Sequence, residues 1–172
     1  MSNWLKWRLV ALFCAVALCG GASYLQAQDE NILTFARESA RRSSCQSNLK
    51  QIMLGVVQYS LDYDEVEPSA RKWTDVLQPY LKSRQIFNCP SLPAGKKNGY
   101  AFNQNLSQFP LYKMKSPSTL VNVYETTNLG ENVFGPGTAR AYRHAGGGNY
   151  AFADGHVKWF KRGDDARFTF KP

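Results

Sequence analysis

The sequence predicts an α+β chain, with one long helix and one short helix followed by a small antiparallel sheet joined by long loops. Three observations carry this reading. From Asp29 to about Asp64 the chain has no proline and a single glycine, Gly55. Apolar residues change from helical to alternating spacing after about residue 85, and segments rich in Pro, Gly, Asn and Ser separate the later apolar runs. Helices followed by strands, rather than strands alternating with helices, mark the α+β order.

Taken in turn, Asp29 and Glu30 suit the positive end of a helix dipole. Cys45, Leu49, Ile52, Met53, Val56, Tyr59 and Tyr63 recur at three- and four-residue spacing, so the second half of the helix has one apolar stripe. "EVEPSA" ends it, which gives a helical segment over 28–68 and a globular part over 69–172. "WTDVLQPYLK" places Trp73, Val76, Leu77, Tyr80 and Leu81 on one helical face, but Pro79 demands a kink or two successive turns. "QIFNC" (85–89), "YAFNQ" (100–104) and "TLVNVYE" (119–125) read as strands, and "RFTF" as a further edge strand.

The N-terminus carries a second kind of information. Lys6 and Arg8 precede an uninterrupted apolar run, Leu9 to Cys19, and then "GGASYLQAQDE", small and polar. That is the order of an export signal. A helix needs about twenty apolar residues to cross a bilayer, and this run is shorter. Residues 1–27 are therefore expected to be a signal peptide, cut after Ala22 or Ala27, or else a short anchor over 9–22. Lipidation at Cys19 is a further alternative. In each case the rest of the chain is exported, to the periplasm or cell envelope or beyond it. The net charge of +8 is spread along the chain with no Lys/Arg-rich arm, so no nucleic-acid partner is expected.

Export leaves Cys45 and Cys89 in an oxidising compartment, a disulfide candidate. Its loop of 45 residues would stabilise by roughly 3–4 kcal/mol in the chain-entropy model. Two free buried thiols are the alternative.

The stretch "RHAGGGNYAFADGHVKWF" (143–160) concentrates the remaining chemistry. Asp154-Gly155 suits a two-residue type I′ turn, with both residues at positive φ. Such a turn pairs Phe152 with Val157 and Tyr150 with Trp159, making these four the apolar face of a hairpin, with His156 on the other face. The competing reading makes His144, Asp154 and His156 ligands of a transition metal such as Zn²⁺. The spacing does not demand it, because Asp154 lies in the turn and His144 must fold back across the glycines. His144 as a structural hydrogen-bonder against the glycine loop is the third reading. "GGG" opens a strand rather than a helix, so it is a closely packed or mobile loop and not a phosphate cradle. Asp62, Asp64, Glu65 and Glu67 could take Ca²⁺ outside a cell, but such acids more often end a helix in solvent. The expectation is no resident metal or other cofactor. No Ser or Cys stands in a recognisable nucleophile elbow, and no enzyme is expected.

"FARESARRSSCQSNLKQI" (35–52), "WTDVLQPYLKSRQIFNCPS" (73–91) and the 143–160 stretch together resemble bacterial pseudopilin-like proteins. These carry a prepilin-type N-terminal region and a C-terminal domain marked by His, nine residues, then Asp-Gly. His144, Asp154 and Gly155 match that spacing. The resemblance implies a pilin-like fold and protein partners in a type II secretion-type or surface assembly. It also carries the paired cysteines onto Cys45 and Cys89, and the family motif onto His144, Asp154 and Gly155. The chain departs from the family at its start, where no Gly-Phe-Thr junction and no glutamate within the apolar run are found. Export or tethering by the N-terminal segment is therefore expected in place of prepilin processing. Two other classes stay open. One is a secreted module binding an acidic glycan or other ligand through Arg/Lys and loop aromatics such as Tyr112 and Phe134. The other is a metal-binding protein or metal-dependent enzyme using His144, Asp154 and His156.

Overall fold

The computed structural model describes residues 3–172 apart from Ala94, with side chains described from Glu30 onward except at Asp165. The expected signal or anchor segment, residues 1–27, lies outside the residues whose side chains are described. Among the described residues, no helix is long and apolar enough to cross a membrane. The chain divides into two units, Met1–Arg37 and Glu38–Pro172. The first is helical from Asn3, and its described apolar side chains Ile32, Leu33 and Phe35 are exposed.

Helix α1 (Asn3–Asp62) contributes its second half to the larger unit. Cys45, Leu49, Ile52, Met53 and Val56 are all buried there, as their spacing requires. Each fully buried aliphatic side chain contributes about 1.5–3 kcal/mol. Asp64 and Glu65 then take left-handed backbone (φ 53 and 55), the Glu65 amide bonds back to the Ser60 carbonyl, and the helix stops. Helix α2 (Trp73–Val76) is one turn, followed by a 3-10 turn over Gln78–Tyr80, so Pro79 does split the segment into two successive turns. Trp73 is buried, donates from Nε1 to the Val133 carbonyl at 2.9 Å, and meets the Phe87 ring edge-on at 5.2 Å.

The sheet has five strands in the order β3-β1-β2-β4-β5. These are β1 (Tyr100–Asn103), β2 (Val121–Glu125), β3 (Phe134–Gly135), β4 (Gly147–Phe152) and β5 (Val157–Lys161). All neighbours are antiparallel except β1 and β3, which run parallel. The sheet is thus mixed, where an antiparallel one was expected, because a two-residue strand within a Gly- and Asn-rich loop adds to the β1 edge. The fold is α+β, with a long N-terminal helix packed on this sheet.

Three further expectations are corrected. "QIFNC" forms no strand; Arg84–Phe87 is a 3-10 turn, capped by Ser83 Oγ accepting from the Gln85 amide at 3.1 Å, with the adjacent Ile86 and Phe87 both buried. "RFTF" forms no strand; its backbone joins the sheet through an isolated parallel bridge, Leu120 with Thr169. Its Phe168 and Phe170 cover the sheet face opposite α1, against Tyr124, Tyr150, Phe152 and Phe160.

The third correction concerns the β4–β5 hairpin. Only Gly155 has positive φ (+88), and its amide donates to the Phe152 carbonyl at 2.8 Å while the Phe152 amide donates to the His156 carbonyl. This is a three-residue loop, a tight turn followed by one left-handed residue, in place of the two-residue type I′ turn. The register slips by one, pairing Ala151 with Val157, Tyr150 with Lys158 and Asn149 with Trp159. A slip of one residue moves every side chain of one strand to the other face. Tyr150 and Phe152 therefore pack with Phe160 away from α1. Val157 and Ala151 belong to the α1-facing core, and Arg42 of α1 lies over the Trp159 ring. The four expected core residues are split between two faces, and His156 stacks on Phe152 at 4.2 Å instead of pointing away from it.

Candidate functional site

A type I′ turn is present, nine residues earlier than expected. Ala145 (φ 51) and Gly146 (φ 75) form its two central residues, closed by reciprocal 3.0 Å bonds between the His144 and Gly147 backbones. At Gly147 a Cβ would stand 2.4 Å from the Phe160 carbonyl and from the Trp159 ring, so the glycine run is a closely packed strand start. The His144 carbonyl also accepts from Trp159 Nε1 at 2.9 Å. The backbone of His144 is thus held on two sides, which aims its imidazole beneath α1.

That imidazole is fully buried and has three partners. Nδ1 lies 2.7 Å from Glu38 Oε1, and Nε2 lies 2.9 Å from Glu125 Oε1 and 3.5 Å from Cys89 Sγ. Cys45 completes the group. One donor atom from each of Cys45, Cys89, Glu125 and His144 lies within 4.8 Å of every other, and all four residues are buried. Each comes from a different segment: Cys45 from α1, Cys89 from the loop after the 3-10 turn, Glu125 from the end of β2, and His144 from the turn before β4. Asn149 of β4 holds the carboxylate of Glu125, donating from its amide N–H to Oε2 and from Nδ2 to Oε1, both at 3.1 Å. Ser91 Oγ donates to Glu38.

The electrostatics follow from this packing. Burial alone lowers the pKa of His144, but hydrogen bonds to Cys89 and Glu125, the charge of Glu125 and the Glu38 contact outweigh it and push it up to about 10. The Cys45 hydrogen bond brings Cys89 down to about 5 against the opposing effect of burial, with His144 assisting. Cys45 is raised by its hydrogen bond to Cys89 and by burial. Cys89 is thus the more acidic of the two thiols, and it lies beside His144. Cys45 and Cys89 are both buried and unbonded, with their sulfurs within 4.8 Å of each other.

The trio His144, Asp154 and His156 is divided. Asp154 caps its own turn, accepting from the His156 amide at 3.1 Å and lying 2.6 Å from its Nδ1, at the half-exposed hairpin tip. The four helix-end acids are also dispersed: Asp62 accepts from the Tyr80 hydroxyl, and Glu67 is buried against Asn122. Among the described residues the Cys45–Cys89–Glu125–His144 group is the one cluster of ligand type. Sequence reasoning singled out three of its members in separate contexts and missed Glu125 and Glu38. A charged residue closing the apolar strand "TLVNVYE" was the available signal for Glu125. Of the loop aromatics, Tyr112 is exposed with Lys113 over its ring, and Phe134 is exposed in β3.

All four side chains of the cluster are buried. Chemically it can cross-link the fold through a hydrogen-bonded ion cluster, a disulfide or a metal ion. A model of the family described as a protein of unknown function (DUF1559) matches residues 34–71, the part of α1 that carries Glu38 and Cys45 and the turn beyond it. No curated protein matches the chain, and no solved structure does.

Proposed function

We propose that this chain is a non-enzymatic, exported pilin-like protein that acts in a cell-envelope assembly of the type II secretion kind through protein–protein contacts. The observation that carries it is the outer face of α1. Leu54, Val57 and Leu61 lie at helical spacing and are 63%, 44% and 70% exposed, opposite the stripe buried on the sheet. An apolar strip on a helix already anchored by its other face fits a partner presenting its own apolar helix. The family match over 34–71 falls on this same helix, and that family is associated with prepilin- and pseudopilin-like proteins. The basic-then-apolar order of residues 1–27 supports export, with attachment to the inner membrane where that segment stays uncut. Co-purification of the full chain with envelope secretion components, compared with a Leu54→Glu/Leu61→Glu variant of unchanged melting temperature, tests the reading. Loss of partners in the variant supports it, and identical recovery rules it out.

A further inference from the structure

We infer that Cys45, Cys89, Glu125 and His144 form a structural zinc site that ties α1 to the sheet. The donor set comes first: two thiolates, an imidazole and a carboxylate suit Zn²⁺, whereas Ca²⁺ and Mg²⁺ take oxygen ligands. Geometry comes second. A tetrahedral ion with Zn–S near 2.3 Å and Zn–N and Zn–O near 2.0–2.1 Å sets neighbouring donors roughly 3.3–3.8 Å apart. The measured edges are 2.9 Å (His144 Nε2 to Glu125 Oε1), 3.5 Å (Nε2 to Cys89 Sγ) and 4.0 Å (Cys89 Sγ to Glu125 Oε1). None of the six edges exceeds 4.8 Å, so shifts of no more than about 1 Å would admit the ion.

The surroundings are those of a metal site. Nδ1 of His144 faces Glu38 at 2.7 Å, the carboxylate–histidine arrangement that fixes a metal-bound imidazole, and Asn149 holds the Glu125 carboxylate from behind. The Tyr100 hydroxyl is buried beside Cys45, placed to donate a hydrogen bond to a metal-bound Cys45 thiolate. With protons alone, the group is joined only pairwise, Nε2 of His144 to Glu125 and Cys89, and Cys45 to Cys89. A divalent ion serves all four donors at once. On binding, the thiol or thiols and the imidazolium Nε2 release their protons to solvent, and no electrons are transferred. Four protein ligands and a fully buried position leave no open coordination place, so the site is structural.

The test uses the full chain, purified from cells supplied with zinc under a mild reductant. Metal analysis is expected to find about one zinc per chain. Cobalt exchanged into the site is expected to give the intense d–d bands of a tetrahedral ion and a thiolate-to-cobalt charge-transfer band. Chelation should lower the melting temperature, with recovery on adding Zn²⁺ but not Mg²⁺. Glu125→Gln and Cys45→Ser should each reduce zinc retention at least tenfold. Should either variant fail to fold, the cobalt spectrum of the unaltered chain decides alone. Folded, reduced protein with substoichiometric zinc and no charge-transfer band overturns the inference. So does a Cys45–Cys89 disulfide in protein taken from its own compartment.

Discussion

Glu38 Oε1 and His144 Nδ1 stand 2.7 Å apart across 106 residues of sequence, joining α1 to the turn that opens β4. This contact links the helix covered by the family match to the His-(nine residues)-Asp-Gly motif. Charge-assisted bonds of this kind contribute about 1.5–3 kcal/mol. Glu38→Ala is expected to destabilise by that amount in urea unfolding. His144→Leu should cost more, about 3–5 kcal/mol, because the buried Glu125 carboxylate loses its cation. A double variant close to the sum of the singles would show that the two residues do not act together.

Glu67 supplies a pH dependence away from that cluster. Burial pushes its carboxyl up to about 8, only partly offset by the Asn122 amide donating to Oε1 at 2.8 Å. Its other oxygen is buried without a partner. The folded state therefore keeps a proton that the unfolded chain releases near pH 4.5. Its stabilising contribution is complete below that pH and is lost as pH rises to about 8, at up to about 1.4 kcal/mol per pH unit. Denaturant midpoints for the protein and Glu67→Gln across this window should converge at the acid end. The unaltered chain should fall faster as pH rises.

The two turns of the glycine-rich stretch make opposite predictions at neighbouring residues. Gly155 sits at φ +88 and Asp154 does not share that conformation. Gly155→Ala should cost about 1–2 kcal/mol, whereas Asp154→Gly should cost little beyond the cap to His156. Equal costs would restore a type I′ turn at this tip. Ala145 holds φ 51, so Ala145→Gly should be neutral or stabilising by up to about 1 kcal/mol.

Gly147 is constrained by space. With a Cβ 2.4 Å from both the Phe160 carbonyl and the Trp159 ring, Gly147→Ala must push β4 from β5. Loss of folded protein, or a drop of more than about 3 kcal/mol, is expected in thermal melts of the soluble fraction. Trp73→Ala should fall in the same range from its cavity alone, about 3–5 kcal/mol.

Much of this fold was legible in local pattern. The stripe from Cys45 to Val56, the split at Pro79 and the strands at Tyr100 and Val121 all follow from spacing and backbone chemistry. What escaped depended on contacts distant in sequence or on a choice between similar turns. Asp-Gly permits both a two-residue and a three-residue hairpin, and the register of Tyr150 against Lys158 rests on that choice. β3 owes its existence to the β1 edge and not to its own two residues. The site behaved alike: Cys45, Cys89 and His144 each drew notice, but their common neighbours Glu38 and Glu125 were ordinary acids until the helix crossed the sheet.

The outer strip of α1 bears the central claim. A photo-crosslinking residue placed at Val57 in the full chain, in intact cells, reads its surroundings directly. The account predicts a discrete crosslinked product with an envelope assembly protein, abolished by Leu54→Glu/Leu61→Glu while the melting temperature holds. A strip that stays uncrosslinked in the envelope, or crosslinks unchanged by those substitutions, would contradict it.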